Sequence, residues 1–330
     1  MVLRGILLTD NDQVKTALSC LLFFFLLASC DRLDSSAVSW SELDAPTDFD
    51  LNEILIKSDG SWHAVGGETW EIGIYVESQD EGLSWQIEEL HNKALFSLAF
   101  DESQNLYSTG ISSFLYVQEA DDEKWLAGNP IIWATGRDVA FANENRGILV
   151  GGEALINGHL VVYGENYEAV EKQHWDREIS TVCYTDEDTW FVAGFGFIAK
   201  SENGGMDWQM NEFAGDFFVD LFFVDELVGY CIGNSGTIAK TTDGGENWNS
   251  QRNGSDLFTS DLAFRALFFK DANQGFICGE DGLLIYTENG GGAWKRAEGL
   301  PEVDYNDVVY ADDFGLLVGE DGRLVSFSIE

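Results

Sequence analysis

Basic residues are scarce. Against 58 Asp+Glu stand 18 Lys+Arg, a formal net charge of -40 over 330 residues. Such a surface repels phosphate backbones and anionic membrane faces, which argues against nucleic-acid binding and leaves cationic, neutral or cation-bridged partners. Proline is nearly absent, at 3 residues, while 45% of the chain is apolar, so this is not a disordered acidic tail. No Cys-x-x-Cys pair occurs, and the four histidines, His63, His91, His159 and His174, lack the i, i+4 spacing on a helix that a zinc protease needs. They fall on different predicted units and read as isolated residues. No metal or cofactor is predicted, and helical periodicity is missing throughout.

The N-terminus reads as a targeting segment, to be kept out of the fold. Arg4 and Lys15 precede an apolar run over 17–28, broken by Ser19 and Cys20. A bilayer span needs about 20 residues, so the run is too short to cross. It ends in Leu27-Ala28-Ser29-Cys30, which resembles a bacterial lipobox. That resemblance implies a signal peptide over 1–29, a lipid on Cys30, a tether over 30–36 and a folded domain over 37–330. The alternative is an ordinary secretory signal cut nearby. Asp10 and Asp12 are unusual in such a leader, so the true start lies open. Cys183, Cys231 and Cys278 remain in the mature chain. An odd number, each inside an apolar run, predicts buried small hydrophobes, with a Cys231–Cys278 bridge as the alternative in an oxidising compartment.

What the chain does have is a repeat. Phe191-Val-Ala-Gly-Phe-Gly-Phe-Ile-Ala-Lys-Ser-Glu-Asn-Gly-Gly-Met-Asp-Trp208 aligns with Tyr230 through Trp248 and with Phe276 through Trp294. A closing tryptophan carries the unit along the chain at Trp40, Trp85, Trp125, Trp175, Trp208, Trp248 and Trp294. The mean spacing, about 42 residues, is that of a four-stranded propeller blade. Each unit opens with a β-branched or aromatic run, over 54–56, 95–100, 138–141, 180–184, 219–224, 266–269 and 307–310. A second strand ending in glycine follows, as in Gly147 to Gly151 and Gly315 to Gly319, then an alternating third strand and a fourth that begins near the tryptophan. The last unit runs out at Glu330 after three strands, and Val38 to Leu43 can supply the fourth. The pattern predicts an all-β seven-bladed propeller whose last blade is closed by an N-terminal strand, leaving no free edge.

Ser78-Gln-Asp80-Glu-Gly82-Leu-Ser84-Trp85 fits the pattern Ser/Thr-x-Asp-x-Gly-x-Ser/Thr-Trp, known as an Asp-box or BNR repeat. Thr241 to Trp248 fits except at Asn247, through Asp243 and Gly245. Two further boxes keep the spacing with Asn203 and Asn289 in place of Asp, around Gly205 and Trp208 and around Gly291 and Trp294. The chemistry is local: Asp or Asn accepts backbone N–H bonds across a tight turn, Gly supplies positive φ, and Trp packs beneath. Asp-boxes occur in sialidases, which keeps a carbohydrate-binding or glycosidase reading as the alternative. A sialidase-like site needs three converging arginines, and the chain has nine, two of them before Ser35.

Residues 189–296 resemble the photosystem II stability and assembly factor family, whose repeat reads Gly-x-x-Gly-x-x-Gly-x-Ile-x-x-Thr-x-Asp-Gly-Gly-x-x-Trp. Gly229 to Trp248 carries that likeness most fully. The resemblance implies a seven-bladed propeller, WD40/YVTN-like in its repeats, that acts as a non-enzymatic scaffold for a membrane-protein intermediate, often behind a lipoprotein signal. The basic patch of the photosynthetic members is missing from this sequence, so the resemblance implies a fold relative with a protein partner. Membrane contact is expected through the lipidated Cys30 only, and the oligomeric state stays open, with a monomer favoured.

Two surfaces stand out as candidates. Glu68, Glu153, Glu280, Asp281, Glu320 and Asp321 follow the second strands in equivalent positions and predict a carboxylate rim near a channel mouth. It would suit a basic segment or a divalent ion, although Asp-Gly is by itself a favoured hairpin turn. Asp101, Asp186, Asp188, Asp225, Asp271 and Asp313 mark the opposite rim as turn-capping residues, without EF-hand spacing. The long connections 126–137 and 249–265 carry Trp133 and Phe258 as candidate loop anchors.

Overall fold

The computed structural model describes residues 33–120, 122, 124–128, 134–254, 262–311 and 313–329. Among them no α-helix occurs; the regular elements are strands and two short 3-10 turns, Glu165–Tyr167 and Glu320–Gly322. The leader, Cys30, Trp133 and Phe258 lie outside the described residues.

Two short strands, β1 (Asp34–Ala37) and β2 (Ser39–Glu42), precede a series of antiparallel meanders. The first comprises β3 (Leu51–Ile56), β4 (Trp62–Glu68), β5 (Ile72–Ser78) and β6 (Gln86–His91). The second comprises β7 (Leu95–Phe100), β8 (Leu106–Gly110), β9 (Tyr116–Gln118) and β10 (Trp125–Ala127). The third comprises β11 (Thr135–Asn143), β12 (Arg146–Glu153), β13 (Asn157–Tyr163) and β14 (Ala169–Trp175). A six-stranded sheet follows, of β15 (Ile179–Tyr184), β16 (Trp190–Ser201), β17 (Gln209–Phe223), β18 (Gly229–Gly233), β19 (Ile238–Thr241) and β20 (Asn249–Arg252). Two of its strands are double. Within β16, Trp190 to Gly194 pair with β15, and Phe195 and the residues after Gly196 (φ 76°) pair with β17. Within β17 the first residues pair with β16, and Phe218 to Phe223 pair with β18. The last meanders are β21 (Phe264–Phe269), β22 (Gly275–Gly279), β23 (Leu284–Thr287) and β24 (Lys295–Glu298), then β25 (Tyr305–Ala311), β26 (Phe314–Gly319) and β27 (Leu324–Ser328).

The N-terminal strands complete the sheets formed by the end of the chain. β2 pairs antiparallel with β27, Trp40 opposite Phe327 and Ser41 opposite Ser326. β1 runs parallel along β24, so residues 34–36, expected as tether, are strand: they cover the open N–H and C=O row at that sheet's outer edge. The fourth strands β6, β20 and β24 start directly after their tryptophans. Trp175 instead ends β14, because a 3-10 turn replaces the Asp-box in that meander.

The cores lie between consecutive sheets. Ile148, Val150, Leu160 and Val162 pack against Val182, Val192 and Phe197. Leu51, Ile54, Ala64 and Val76 pack against Val309, Leu316, Val318 and Leu324, from the opposite end of the sequence. Cys231 and Cys278 are buried and Cys183 half-buried, all as free thiols, so the alternative Cys231–Cys278 bridge is not formed. Burial pushes each thiol up, away from the reactive thiolate.

The first strands β3, β7, β11, β15, β17, β21 and β25 touch in succession, and β25 touches β3. The glycine ending each second strand permits this crowding. A Cβ at Gly66, Gly151, Gly279 or Gly319 would collide with the carbonyl oxygen of Asp50, Thr135, Ala263 or Asp304, at or next to the start of the paired first strand.

Candidate functional site

Every first strand carries a β-bulge in the same place, where its register with the second strand slips by one residue. The bulged residue and its successor turn inward. These dipeptides, Asn52-Glu53, Phe96-Ser97, Arg137-Asp138, Ser180-Thr181, Val219-Asp220, Arg265-Ala266 and Asn306-Asp307, line a single cavity of about 180 Å³.

The lining side chains bond from each first strand to the next. Asp307 Oδ2 accepts the Ile54 N–H at 2.9 Å, and Asn306 Nδ2 donates to the Leu51 carbonyl at 2.9 Å. Glu53 Oε2 accepts the Leu98 N–H at 2.6 Å, and Asn52 donates to the Leu95 carbonyl at 2.7 Å. Ser97 donates to Asp138 Oδ1 at 2.8 Å, and Asp138 Oδ2 accepts the Val182 N–H at 2.8 Å. Ser180 donates to the Phe218 carbonyl. Asp220 Oδ2 accepts the Leu267 N–H at 2.7 Å, and Arg265 donates to Asn306 Oδ1. Each junction between neighbouring first strands therefore has a side-chain latch.

Burial pushes Glu53, Asp138, Asp220 and Asp307 up, and for Glu53 the nearby Asp307 and Asp138 add to the effect. Asp220 rises to about 7 and Asp307 to about 8. Both oxygens of Asp138, Asp220 and Asp307, and Oε2 of Glu53, are taken by backbone N–H groups and one serine. That occupation separates them from a glycosidase pair, whose carboxyls must face a sugar. Sequence reasoning missed this ring. Its signal was a polar residue, Asp or Glu in four cases, standing just before the apolar part of six of the seven first strands.

The Asp-boxes form four like turns on the opposite side of the strands from the second-to-third strand turns. Ser78, Ser201, Thr241 and Thr287 accept the N–H of Gly82, Gly205, Gly245 and Gly291 at 2.8–3.0 Å. Asp80, Asn203, Asp243 and Asn289 accept the N–H four residues on, at 2.8–2.9 Å. Gly245 has φ 81°, and its missing side chain makes room for Phe191. Trp85, Trp208, Trp248 and Trp294 lie half-buried, with rings against Trp62, Trp175, Phe223 and Phe269 respectively. The bonds from Asn247 hold the Asp243 carboxyl down.

None of the six expected rim carboxylates lines the cavity. They sit at the ends of second strands, one strand spacing outward, and only Glu280 reaches inward, through Arg265. Asp281 and Asp321 occupy positive-φ turn positions. On the other side Asp186, Asp225 and Asp271 each accept two turn N–H groups, and Asp101 binds Asn105 and Tyr107. Several basic side chains are tied to the chain's own carboxylates: Arg137 to Glu178, Arg177 to Glu212, Lys200 to Glu246, Arg265 to Asp304 and Lys295 to Glu288. His63 is buried between Ser61 and Tyr75, at 2.6 Å from each, and burial pushes it down to about 4. The turn between β12 and β13 breaks the pattern of its counterparts. Ala154 and Leu155 take the positive-φ positions held by Asp-Gly at 281–282 and 321–322 and by Ser112 and Ser113 in the second meander, and Leu155 and Ile156 are exposed. Glu178 ties this turn to Phe195, accepting the Leu155 N–H on its carboxylate and the Phe195 N–H on its carbonyl.

The histidine reading needs correcting. His159 and His174 lie directly opposite each other on β13 and β14 of one sheet, with Nδ1 atoms 3.5 Å apart. A sequence separation of 15 residues through the hairpin hid their pairing.

Comparison with known proteins agrees with this architecture. A sequence profile for the family described as photosynthesis system II assembly factor YCF48 matches residues 212–303. The photosystem II stability/assembly factor HCF136 of Arabidopsis thaliana, a chloroplast protein, is 29% identical over 124 residues, 34% of this chain. The chain spans 31% of the length of that curated relative. Among solved structures, YCF48 bound to D1 peptide superposes with a TM-score of 0.69 at 15% identity, over 91% of this chain and 100% of the other. YCF48 from Cyanidioschyzon merolae gives 0.65 at 15% identity, over 88% and 99%. The WD40 β-propeller domain of Doa1 gives 0.63 at 14% identity, over 88% and 98%. At these identities the likenesses show the fold, and that fold is a β-propeller.

Proposed function

We propose that this chain is an exported lipoprotein, anchored through Cys30, whose seven-bladed propeller is sealed by the β2–β27 pairing and holds a protein partner during assembly. Seven first strands in cyclic contact, with a latch at every junction, support the blade count and the closure. The observation that carries the functional reading is the match of residues 212–303 to an assembly-factor family, together with the likeness to a relative captured with a peptide.

The partner is a cationic, partly apolar protein segment. Several of the chain's own cations are engaged with its own carboxylates, and the surplus negative charge favours a basic ligand. Leu155, Ile156 and Phe195, exposed beside Arg137 and Glu178, offer the apolar contact. Two consecutive non-glycine residues in the left-handed region cost roughly 1–2 kcal/mol each, a strain typical of binding loops.

The test is affinity capture from membranes using the full chain beside two variants, Ile156→Ser/Phe195→Ser and Glu320→Lys/Asp321→Lys. The proposal expects one protein recovered in near-equal amount with the wild type and lost with either variant. It is overturned if the same proteins bind all three forms, or if the purified domain cleaves glycans.

A further inference from the structure

We propose that His159 and His174 form a zinc site on the outer edge of the third meander. The proposal is independent of the scaffold reading, since it rests on one hairpin.

The geometry is specific. In a tetrahedral site with Zn–N bonds of about 2.0–2.1 Å, two ligand nitrogens stand about 3.3–3.4 Å apart. The Nδ1···Nδ1 separation of 3.5 Å matches that edge. It is long for a hydrogen bond, which centres near 2.9–3.0 Å. A square-planar ion would bring neighbouring nitrogens to about 2.8 Å, so the spacing favours zinc over tetragonal copper or nickel. The rings are held at this distance by backbone register: His159 pairs with His174, flanked by Gly158 with Trp175 and Leu160 with Gln173.

The surroundings suit a cation. Strand alternation puts Glu153, Asn157 and His159 on one face, because Gly151 pairs with His159 and Glu153 with Asn157. His174 shares that face through the next ladder. Glu153 is near enough to favour a positive charge on His159, while burial and His174 push that ring down and keep it neutral, the form that ligates metal. No third ligand is already gathered among the described residues, so the two remaining positions hold water or a donor brought by a bound protein. His159 is half-buried and His174 exposed, which leaves the site open from solvent.

Titration of the mature chain with zinc chloride by calorimetry at pH 7.5, in a non-chelating buffer, tests this. One zinc per chain is expected, with affinity falling at least tenfold in His174→Gln and in His159→Gln. Thermal melts without metal establish that the variants fold; both positions are solvent-accessible on or beside an edge strand. Scattered carboxylates on so acidic a chain bind zinc weakly, and that binding persists in a His159→Gln/His174→Gln double variant. If the wild type shows only that residual binding, or if the double variant binds zinc as the wild type does, the site does not exist.

Discussion

Ile54 donates its backbone N–H to Asp307 Oδ2 at 2.9 Å, joining the first strand of the first meander to the first strand of the last, 253 residues apart. The same carboxylate accepts the N–H of Val308 at 2.7 Å on its other oxygen. Asp307→Ala leaves both donors buried without partners, at a cost of about 1–3 kcal/mol for each. Urea denaturation should show a loss of at least about 2 kcal/mol, with a smaller loss in Asp307→Asn, which keeps one acceptor. A loss below about 0.5 kcal/mol in Asp307→Ala would show that the latch is not a structural element.

The raised carboxyls make stability fall as pH rises. A carboxyl whose folded pKa exceeds its unfolded value binds its proton more tightly when folded, so its contribution is full below the unfolded value near 3.8 and is lost through the folded value. For Asp220 and Asp307 that window runs from about 4 up to about 7 and about 8. Calorimetry at constant ionic strength should therefore record a melting temperature several degrees lower at pH 8.5 than at pH 5.5. Asp220→Asn/Asp307→Asn should flatten this slope. A melting temperature that rises over the interval contradicts the assignment.

The Asp-box glycines are predicted to be irreplaceable for two reasons at once. At Gly245, φ is 81° and an added Cβ collides with the Phe191 ring. Gly245→Ala should cost more than the roughly 1 kcal/mol of backbone strain alone, because the Phe191 contact must also shift. Asp243→Ala, at the solvent-exposed side of the same turn, should cost less, because water replaces the lost turn bond. Equilibrium unfolding of the two variants separates the effects; equal losses would contradict the packing role of the glycine.

Cys30→Ala should move the protein from the membrane fraction to the soluble fraction without altering its melting temperature, since the described fold begins after it. Detergent phase partitioning and a melt of the recovered protein read both outcomes. Retention in the detergent phase would exclude the lipid anchor.

The repeat was legible because turn chemistry is local. Gly245, Asp243 and Trp248 act within eight residues, and so their spacing survives as a readable pattern. The β2–β27 pairing was legible for a different reason: the last unit lacked a strand, and Trp40 supplied the missing signature. The ring of Glu53, Asp138, Asp220 and Asp307 was hidden because its partners are backbone groups on the neighbouring first strand, 44 to 47 residues away for the first three and 253 for Asp307, and backbone donors leave no mark in a sequence. Asp281 and Asp321 drew attention through Asp-Gly, a turn signal that has no connection with the cavity. His159 and His174 escaped notice because the register of a hairpin with a long turn cannot be counted from residue spacing alone.

The closed ring is tested most directly by a disulfide across its seam. Ser41 and Ser326 are register partners on the antiparallel strands β2 and β27, and such partners have Cα atoms about 4.5–5.5 Å apart, within reach of a disulfide. In Ser41→Cys/Ser326→Cys, mild oxidation should form an intramolecular bond in nearly every molecule and raise the unfolding midpoint, because it closes a loop spanning almost the whole domain. Thiols that stay reduced, or that link only between molecules, would contradict a ring sealed by its own N-terminal strand.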